Sequence, residues 1–389
     1  MIDQELLSRL NADGREARIR NMKKALESAS FPPADPRYIN NHIHTSFSFS
    51  PYSPTAAVYA ARAEGLATAG IIDHDTMAGT REFLEAAELA GLPVTVGMEC
   101  RVSMAGTPMA DRRLNSADQT GIAYMTIQAV PHDRIETLQD WFEPRRQARE
   151  KRNRKMTERI NRLLPGIGLD YDRDVRPESM ARDGGTVTER HLLYALAKKM
   201  TARAGKGAPL IRWLDSLGAA PDEKQRRLLE DAEYAFYEYD LLGVLKAAFL
   251  PKIYADAAEE CPGIREIAGL CREMDALLCY AYLGDVTKPA TGDRKPQKFE
   301  DDYLDDLIGC LKELGVPAVT YMPTRNSPEQ LARIRRLCEN NGLMQVSGED
   351  INSPRQSFVT RAMEDPRLGN LIDSTWRLIR HEQTKERIV

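Results

Sequence analysis

Short apolar segments alternate with longer amphipathic ones along most of the chain, beginning near residue 37. The apolar segments have the length of strands, and most of the segments between them show the i, i+3, i+4 spacing of helices. Buried strands separated by helices are typical of parallel βα units with both sheet faces covered. The predicted strands cover about residues 37–44, 68–72, 93–98, 122–130, 277–282, 318–321 and 343–347.

Capping signals mark the helices between these strands. Ser53-Pro54 is an N-cap followed by proline at the first helical position, and Gly91 and Gly315 each end a helical pattern. All but one pair of the seven strands are joined by a single helical connection. A closed or nearly closed βα barrel fits this order better than an open sheet, and such barrels carry their chemistry at the carboxyl ends of the strands.

The pattern also predicts how the chain divides. Residues 1–36 form an N-terminal helical appendage. Residues 205–275 interrupt the alternation with an almost entirely helical pattern, which we interpret as an insertion that could cover the site as a lid. Residues 37–204 and 276–389 are then the two parts of the barrel, and the second part ends in a C-terminal helix.

A long polar helix is predicted over about residues 133–163. Its middle carries the basic residues Arg145, Arg146, Arg149, Lys151, Arg152, Arg154 and Lys155. This pattern favours a solvated helix face, and a rim that attracts phosphate is the alternative.

Composition narrows the class of protein. A chain of 389 residues with 42% hydrophobic and 29% charged residues is typical of a globular protein, and a net charge of −4 makes nucleic acid an improbable partner without excluding it. The six cysteines are scattered, so we expect reduced thiols and a cytoplasmic location. The N-terminal residues lack the pattern of a signal peptide, and no segment is long enough to predict a membrane span.

Histidines and carboxylates collect where several predicted strands end. His42 and His44 lie two residues apart, so on a strand both side chains point to the same face. Each of these residues alone has an ordinary structural explanation, but chance rarely places so many donors at one end of a barrel. Nitrogen and oxygen donors in this mixture suit Zn, Mn or Fe. The other members are Asp73-His74-Asp75, Glu99, His191 and Asp350.

Five separated motifs in this order resemble the PHP (polymerase and histidinol phosphatase) superfamily. They are His42-x-His44-Thr45, Ile72-Asp73-His74-Asp75, Gly97-Met98-Glu99, Arg190-His191 and Gly348-Glu349-Asp350. The resemblance covers about residues 37–203 and 276–360. It implies a distorted seven-stranded βα barrel with a two- or three-metal site and phosphoester hydrolysis. By this resemblance, His42, His44, Glu99 and Asp350 form one metal position, Glu99 and His191 contribute to a second, and His74 belongs to a third.

The chain departs from the superfamily pattern at several positions. Phe49-Ser50-Pro51 stands where a ligand usually follows the first motif, and Asn352 stands where a histidine usually follows the last aspartate. Strand four lacks the usual histidine, and His132 a few residues later is expected to face solvent at the start of a helix. Ala281-Tyr282-Leu283 replaces a frequent His-Pro. We therefore expect one or two tightly held divalent ions.

The leading hypothesis is a metal-dependent phosphoesterase that acts on a small phosphorylated metabolite or nucleotide by metal-activated hydroxide. Glu99 would hold the ions, and His74 or Asp350 would shuttle a proton. Arginine binds phosphate oxygens bidentately, and the candidates are Arg101, Arg190 and Arg325. One alternative is a degenerate domain that binds a phosphorylated ligand or a partner without turnover. The other is metal-assisted hydrolysis of a non-phosphate bond, as in amidohydrolase barrels.

Overall fold

A computed structural model describes residues 2–116, 118–286, 297–384, 386 and 388. Its strands follow the predicted order, and part of the polar loop expected between residues 284 and 298 lies outside the described residues. The strands are β1 (Asp35–Ile43), β2 (Leu66–His74), β3 (Val94–Ser103), β4 (Ile122–Gln128), β5 (Leu277–Tyr282), β6 (Ala318–Tyr321) and β7 (Met344–Ser347).

Helices surround these strands. Their termini carry the signals visible in the sequence: Ser53 caps the helix that begins at Pro54, and Gly91 ends the following helix in a left-handed conformation. The helices are α1 (Gln4–Leu10), α2 (Arg15–Ser28), α3 (Pro54–Ala63), α4 (Thr80–Ala90), α5 (Ile135–Trp141), α6 (Glu143–Leu163), α7 (Glu189–Ala204), α8 (Ala208–Ser216), α9 (Glu223–Glu230), α10 (Tyr237–Ile253), α11 (Ile264–Met274), α12 (Leu304–Glu313), α13 (Pro328–Asn341) and α14 (Gly369–Thr384).

The strands form one seven-stranded sheet in the order β1 to β7. All neighbouring pairs are parallel except those of β4, which runs antiparallel to both β3 and β5. The expectation of uniformly parallel βα units is therefore wrong at this strand. A parallel connection needs a crossover, usually a helix, whereas the loop 104–121 that joins β3 and β4 has no helix among its described residues. The reversed strand places Ile122, and not Gln128, at the end of the barrel where the other strands finish.

The sheet nearly closes on itself through the segment that follows β7. Ile351 lies beside Ile43 in a parallel bridge. The backbone N–H of His44 donates to the carbonyl of Ile351 at 2.9 Å, and the N–H of Ile351 donates to the carbonyl of His42 at 3.0 Å. The closure therefore ties the His-x-His motif to the segment that carries Asp350.

Two hydrophobic cores divide the helices. The barrel core includes residues of α3, α4, α11 and α12, which cover the outside of the sheet. The helical core is built from residues of α6, α7, α8, α9 and α10. The helical core thus includes α6 and α7 in addition to α8, α9 and α10, the first three helices of the predicted insertion. The last helix of that insertion, α11, packs on the barrel.

The predicted long polar helix is divided into α5 and α6 by Phe142, with Pro144 at the start of α6. Arg146, Arg149 and Arg152 lie on one stripe of α6, and all three are buried. This stripe is neither a solvated face nor a phosphate-attracting rim, because it faces buried carboxylates between α6 and the barrel.

Candidate metal centre

Nitrogen and oxygen donors from four strands or the residues just after them converge in one place. The Nε2 atoms of His42 and His44 are 3.2 Å apart, and each lies 3.7 Å from Oε2 of Glu99. Oδ1 of Asp350 is 3.4 Å from Nε2 of His44, and Nδ1 of His74 is 3.1 Å from Oε2 of Glu99. Three imidazoles thus surround one carboxylate oxygen.

The strands explain this convergence. His42 lies in β1 and His44 follows that strand, while β2 ends at His74 directly beside Glu99 in β3. Gly97 precedes Glu99 by two residues where β4 crosses closely, since a Cβ there would lie 2.2 Å from the carbonyl oxygen of Ile127. Asp350 reaches the same place because Ile351 closes the barrel against β1.

A buried hydrogen-bond relay fixes the tautomer of His44. The hydroxyl of Ser48 donates to Oδ1 of Asp73 at 2.5 Å, so its oxygen accepts from Nδ1 of His44, which is 3.1 Å away. The carboxylate of Asp73 also accepts from the N–H and the hydroxyl of Thr45. With its proton on Nδ1, His44 presents the lone pair of Nε2 to the other donors.

The carboxyl groups of the cluster favour a positive charge at His42, whereas burial disfavours one on His44 and His74. Burial opposes a charge on His42, but the carboxylates of Glu99, Asp350 and Glu349 outweigh it and raise its pKa. Burial lowers the pKa of His44, and the neighbouring His42 adds to that effect. Burial also holds the pKa of His74 well below its usual range, so that imidazole is neutral and can bind a metal.

The donor set fits a divalent ion. Among the described residues, the groups whose ligand atoms lie within 4.8 Å of one another are His42, His44 and Asp350, and His44, His74 and Glu99. Imidazole nitrogens bound at ~2.0–2.1 Å to a tetrahedral ion lie ~3.3 Å apart, close to the separation of His42 and His44. Nδ1 of His74 is buried without a hydrogen bond despite its nearness to Glu99, as expected of a ligand atom. Both groups include His44, and its Nε2 atom can bind only one ion at a time.

A cavity of about 370 Å³ opens onto these donors. Its lining includes His42, His74, Glu99 and Asp350, and three basic side chains, Arg190, Arg325 and Lys246. Lys246, Ala247, Leu250 and Pro251 come from α10, so a helix of the predicted insertion forms part of the wall.

Part of the chain matches a known family. Residues 40–176, which contain the end of β1, all of β2 to β4 and α6, match the PHP domain. This part of the chain is similar to PHP domains. No curated protein matches the chain.

Two solved structures resemble it over most of its length. A provisionally assigned metal-dependent phosphoesterase from Bifidobacterium adolescentis is 21% identical, with a TM-score of 0.53 over 85% of this chain and 96% of that one. An amidohydrolase from Chromobacterium violaceum, solved with bound sulfate and no metal, is 17% identical, with a TM-score of 0.52 over 82% of this chain and 89% of that one. At these identities the likeness shows the fold, a seven-stranded mixed sheet nearly closed into a barrel.

His191 is not brought into either donor group. The backbone N–H of Thr188 donates to Nδ1 of His191 at 2.9 Å, which completes a capping box at the start of α7. An imidazole that accepts at Nδ1 carries its proton on Nε2 and offers no lone pair to a metal. Burial, with the charge of Arg190, lowers the pKa of His191 to about 3, so it is neutral.

Arg101 is also placed differently from its predicted substrate-binding role. Its side chain is 2% exposed, and its guanidinium lies 2.6 Å from Glu189 and 3.1 Å from Glu260. Arg190 and Arg325, the other predicted clamps, line the cavity. The structure therefore brings together seven predicted site residues around the cavity and its donors, and separates Arg101 and His191 from the donors.

Arg101 belongs to a buried ion network beneath the cavity. Arg149 lies 2.8 Å from Asp75, and Arg152 lies 2.7 Å from Glu260. Burial alone would raise the pKa of Glu189, but Arg101, Arg152 and Arg149 hold it well below its usual range. Asp75 of the second motif is thus an ion-pair partner of α6.

His132 lies away from the donors because β4 is reversed. It follows the end of that strand, and its Nε2 is 3.6 Å from Glu382 of α14. Sequence reasoning also missed Tyr124, which lines the cavity from the early part of β4. Only the direction of β4 reveals that Tyr124, rather than His132, faces the site.

No described helix combines the length and apolar character needed to cross a membrane.

Proposed function

We propose that this chain is a metal-dependent hydrolase and, within that class, a phosphoesterase acting on a small phosphorylated metabolite or nucleotide. One observation carries the proposal. Ligand atoms of three histidines and two carboxyl groups converge beside a cavity that also presents three basic side chains.

His42, His44, Glu99 and Asp350 would hold one divalent ion, of Zn, Mn or Fe type. His74 and Glu99 are the residues that would support a second ion. A bound ion would act as a Lewis acid toward the phosphoryl oxygen. It would also lower the pKa of water toward neutral pH.

The protein side chains would do the remaining work. Arg190 and Arg325 would bind phosphate oxygens through their planar guanidinium groups, and Lys246 would add a third positive charge. The carboxyl group of Asp350 is 39% exposed, more than the other donors, and would exchange protons with the substrate. Glu99, which is 11% exposed, would orient the histidines.

The cavity favours a small substrate. A volume of about 370 Å³ lies at the lower end of the range of small-molecule sites, ~300–1,000 Å³. The wall formed by α10 limits the length of ligand that can be enclosed. This geometry supports a metabolite or mononucleotide over a nucleic-acid chain.

Binding without turnover is the second candidate. It is favoured by Phe49 and Asn352, which stand at positions where a ligand was expected and which offer no donor suited to a transition metal. Hydrolysis of an amide or lactone is a further candidate, because a structural neighbour is an amidohydrolase.

Metal content and hydrolysis, measured together, test the proposal. The protein as isolated, His44→Ala, Glu99→Ala and the control His132→Ala would be analysed by plasma mass spectrometry and assayed on phosphomonoesters, amides and lactones. We expect bound metal and phosphoester turnover in the wild type and in His132→Ala, and loss of both in the other two variants.

Other results would change the conclusion. A wild-type chain that retains no ion after incubation with Zn²⁺ or Mn²⁺ would overturn the metal-dependent assignment. Metal binding with turnover of amides or lactones alone would replace the phosphoesterase by the amidohydrolase alternative. Metal binding with no turnover would favour the ligand-binding alternative.

A further inference from the structure

The side-chain amide of Asn352 lies between two charged groups of the cavity. Nη1 of Arg190 donates to Oδ1 of Asn352 at 2.8 Å. Nδ2 of Asn352 donates to Oδ1 of Asp350 at 2.7 Å. The same oxygen of Asp350 is 3.4 Å from Nε2 of His44. A neutral amide therefore connects the guanidinium to a residue of the donor cluster.

Only one orientation of this amide satisfies both neighbours. A guanidinium is a donor only, so it requires the amide oxygen, and an ionised carboxylate is an acceptor only, so it requires the amide nitrogen. Asparagine supplies both in one planar group. An ionised aspartate at this position would have no donor for Asp350.

The backbone around Asn352 is held in place. The N–H and the carbonyl of Ile351 are both hydrogen bonded to the His-x-His segment. These bonds fix Asp350 and Asn352 on the face opposite to that of Ile351. Gln356 accepts from the N–H of Asn352 at 2.9 Å and donates to the carbonyl of Asp350 at 2.6 Å. The amide is therefore a fixed part of the site.

Phe49 holds the guanidinium from another side. The guanidinium carbon of Arg190 lies 4.9 Å from the centre of the Phe49 ring, a cation–π contact. Phe49 is buried and has a φ of 145°, a conformation that is costly for a residue with a side chain. Its ring also packs against Tyr194 and Tyr239. A strained aromatic residue thus positions Arg190 beside the donors.

We infer that Asn352 is a positioning residue that keeps Arg190 and Asp350 from pairing directly. With the amide removed, the guanidinium would be drawn onto the carboxylate of Asp350. That contact would occupy the oxygen of Asp350 that the metal ion needs and the N–H groups of Arg190 that the phosphate needs. With the amide present, Asp350 remains a ligand while Arg190 remains a fixed positive charge for the substrate. This inference rests on the proposed function, because it assigns Asp350 to a metal ion.

A double-mutant comparison tests it. Metal affinity would be measured by titration calorimetry with Mn²⁺ and with Zn²⁺ on chelator-treated protein, with circular dichroism to confirm folding. Asn352→Ala should weaken binding about tenfold or more, as expected when the partner of a metal ligand is lost. Asn352→Ala combined with Arg190→Gln should recover most of that affinity, because the competing cation is gone.

The matched control combines Asn352→Ala with Arg325→Gln. This pair also removes one positive charge from the cavity wall, but not the charge that contacts the amide. It should bind metal as weakly as Asn352→Ala alone. A role of Asn352 in structure only would give no recovery with Arg190→Gln, and that result would overturn the inference.

The remaining outcomes are also decisive. Equal recovery with Arg190→Gln and Arg325→Gln would show a general charge effect and would contradict specific capture of Asp350. A wild type that binds metal, with unchanged affinity in Asn352→Ala, would overturn this inference alone. A wild type that binds no metal would overturn the proposed function and this inference together.

Discussion

The hydroxyl oxygen of Ser48 lies 3.1 Å from Nδ1 of His44. Since that hydroxyl donates to Asp73, it receives the imidazole proton and leaves Nε2 of His44 free to bind an ion. Ser48→Ala should therefore weaken metal affinity by about tenfold, the lower end of the usual effect of such partners. Titration calorimetry with Mn²⁺ measures this directly.

Ser46→Ala is the matched control for that change, because the backbone N–H of Ser46 donates a hydrogen bond to the carbonyl of Tyr52 and the substitution keeps it. Its metal affinity should equal that of the wild type. Equal affinities in Ser48→Ala and Ser46→Ala would contradict the relay from His44 to Asp73.

The second prediction concerns the buried ion network. Arg149→Met should lower the free energy of unfolding by about 3–5 kcal/mol, because it leaves the carboxylates of Asp75 and Glu260 buried with one positive charge fewer. Denaturant unfolding followed by circular dichroism measures the change. Arg154→Met on the same helix breaks a pair with Asp172 whose side chains are 44% and 60% exposed, and should cost about 0–1 kcal/mol. Similar losses of unfolding free energy in the two variants would show that the buried ion pairs stabilise the fold no more than the exposed pair.

The third prediction concerns pH and Glu382 of α14. Burial raises the pKa of Glu382 to about 7, although nearby His132 and hydrogen bonds from the hydroxyl of Thr95 and the N–H of Val96 act to lower it. The folded chain keeps this proton up to about pH 7, whereas the unfolded chain releases it near its ordinary pKa of 4.5. The contribution of Glu382 to the free energy of unfolding is therefore full below pH 4.5 and decreases as the pH rises to 7. Above pH 7 it stays constant, and the total loss is up to ~3 kcal/mol.

Unfolding free energies at pH 5 and pH 8 test this window. Glu382→Gln should show a smaller decline between the two pH values than the wild type. Burial also raises the pKa of Glu300 to about 7, so a decline from Glu300 should remain in the variant. An undiminished decline in Glu382→Gln would rule out Glu382 as its source.

The fourth prediction follows from the reversed direction of β4. His132→Ala should leave metal stoichiometry and affinity unchanged, because the imidazole pairs with Glu382 at the other end of the barrel. Tyr124→Phe, by contrast, removes a hydroxyl from the cavity wall and should raise KM for a phosphoester with little change in metal content. Loss of metal in His132→Ala, measured by plasma mass spectrometry, would show that this end of β4 reaches the site.

The sequence by itself determined the local elements and most of the donors. The predicted strands at residues 277–282 and 318–321 coincide with β5 and β6, because apolar runs and caps act over a few neighbouring residues. His42, His44, His74, Glu99 and Asp350 could be found because strand ends of a barrel meet at one place, and the PHP motifs carry the same residues.

The tertiary structure decided what depends on partners far apart in the chain. A stripe of arginines on α6 has the same spacing whether it faces water or carboxylates, and Glu260, which pairs with Arg149, lies 111 residues away. The antiparallel course of β4 depends on its two neighbours, so the sequence did not separate Tyr124 from His132. His191 completes a local cap and Asn352 joins Arg190 to Asp350 across 162 residues, because hydrogen-bond partners in a buried site are set by packing rather than by sequence spacing.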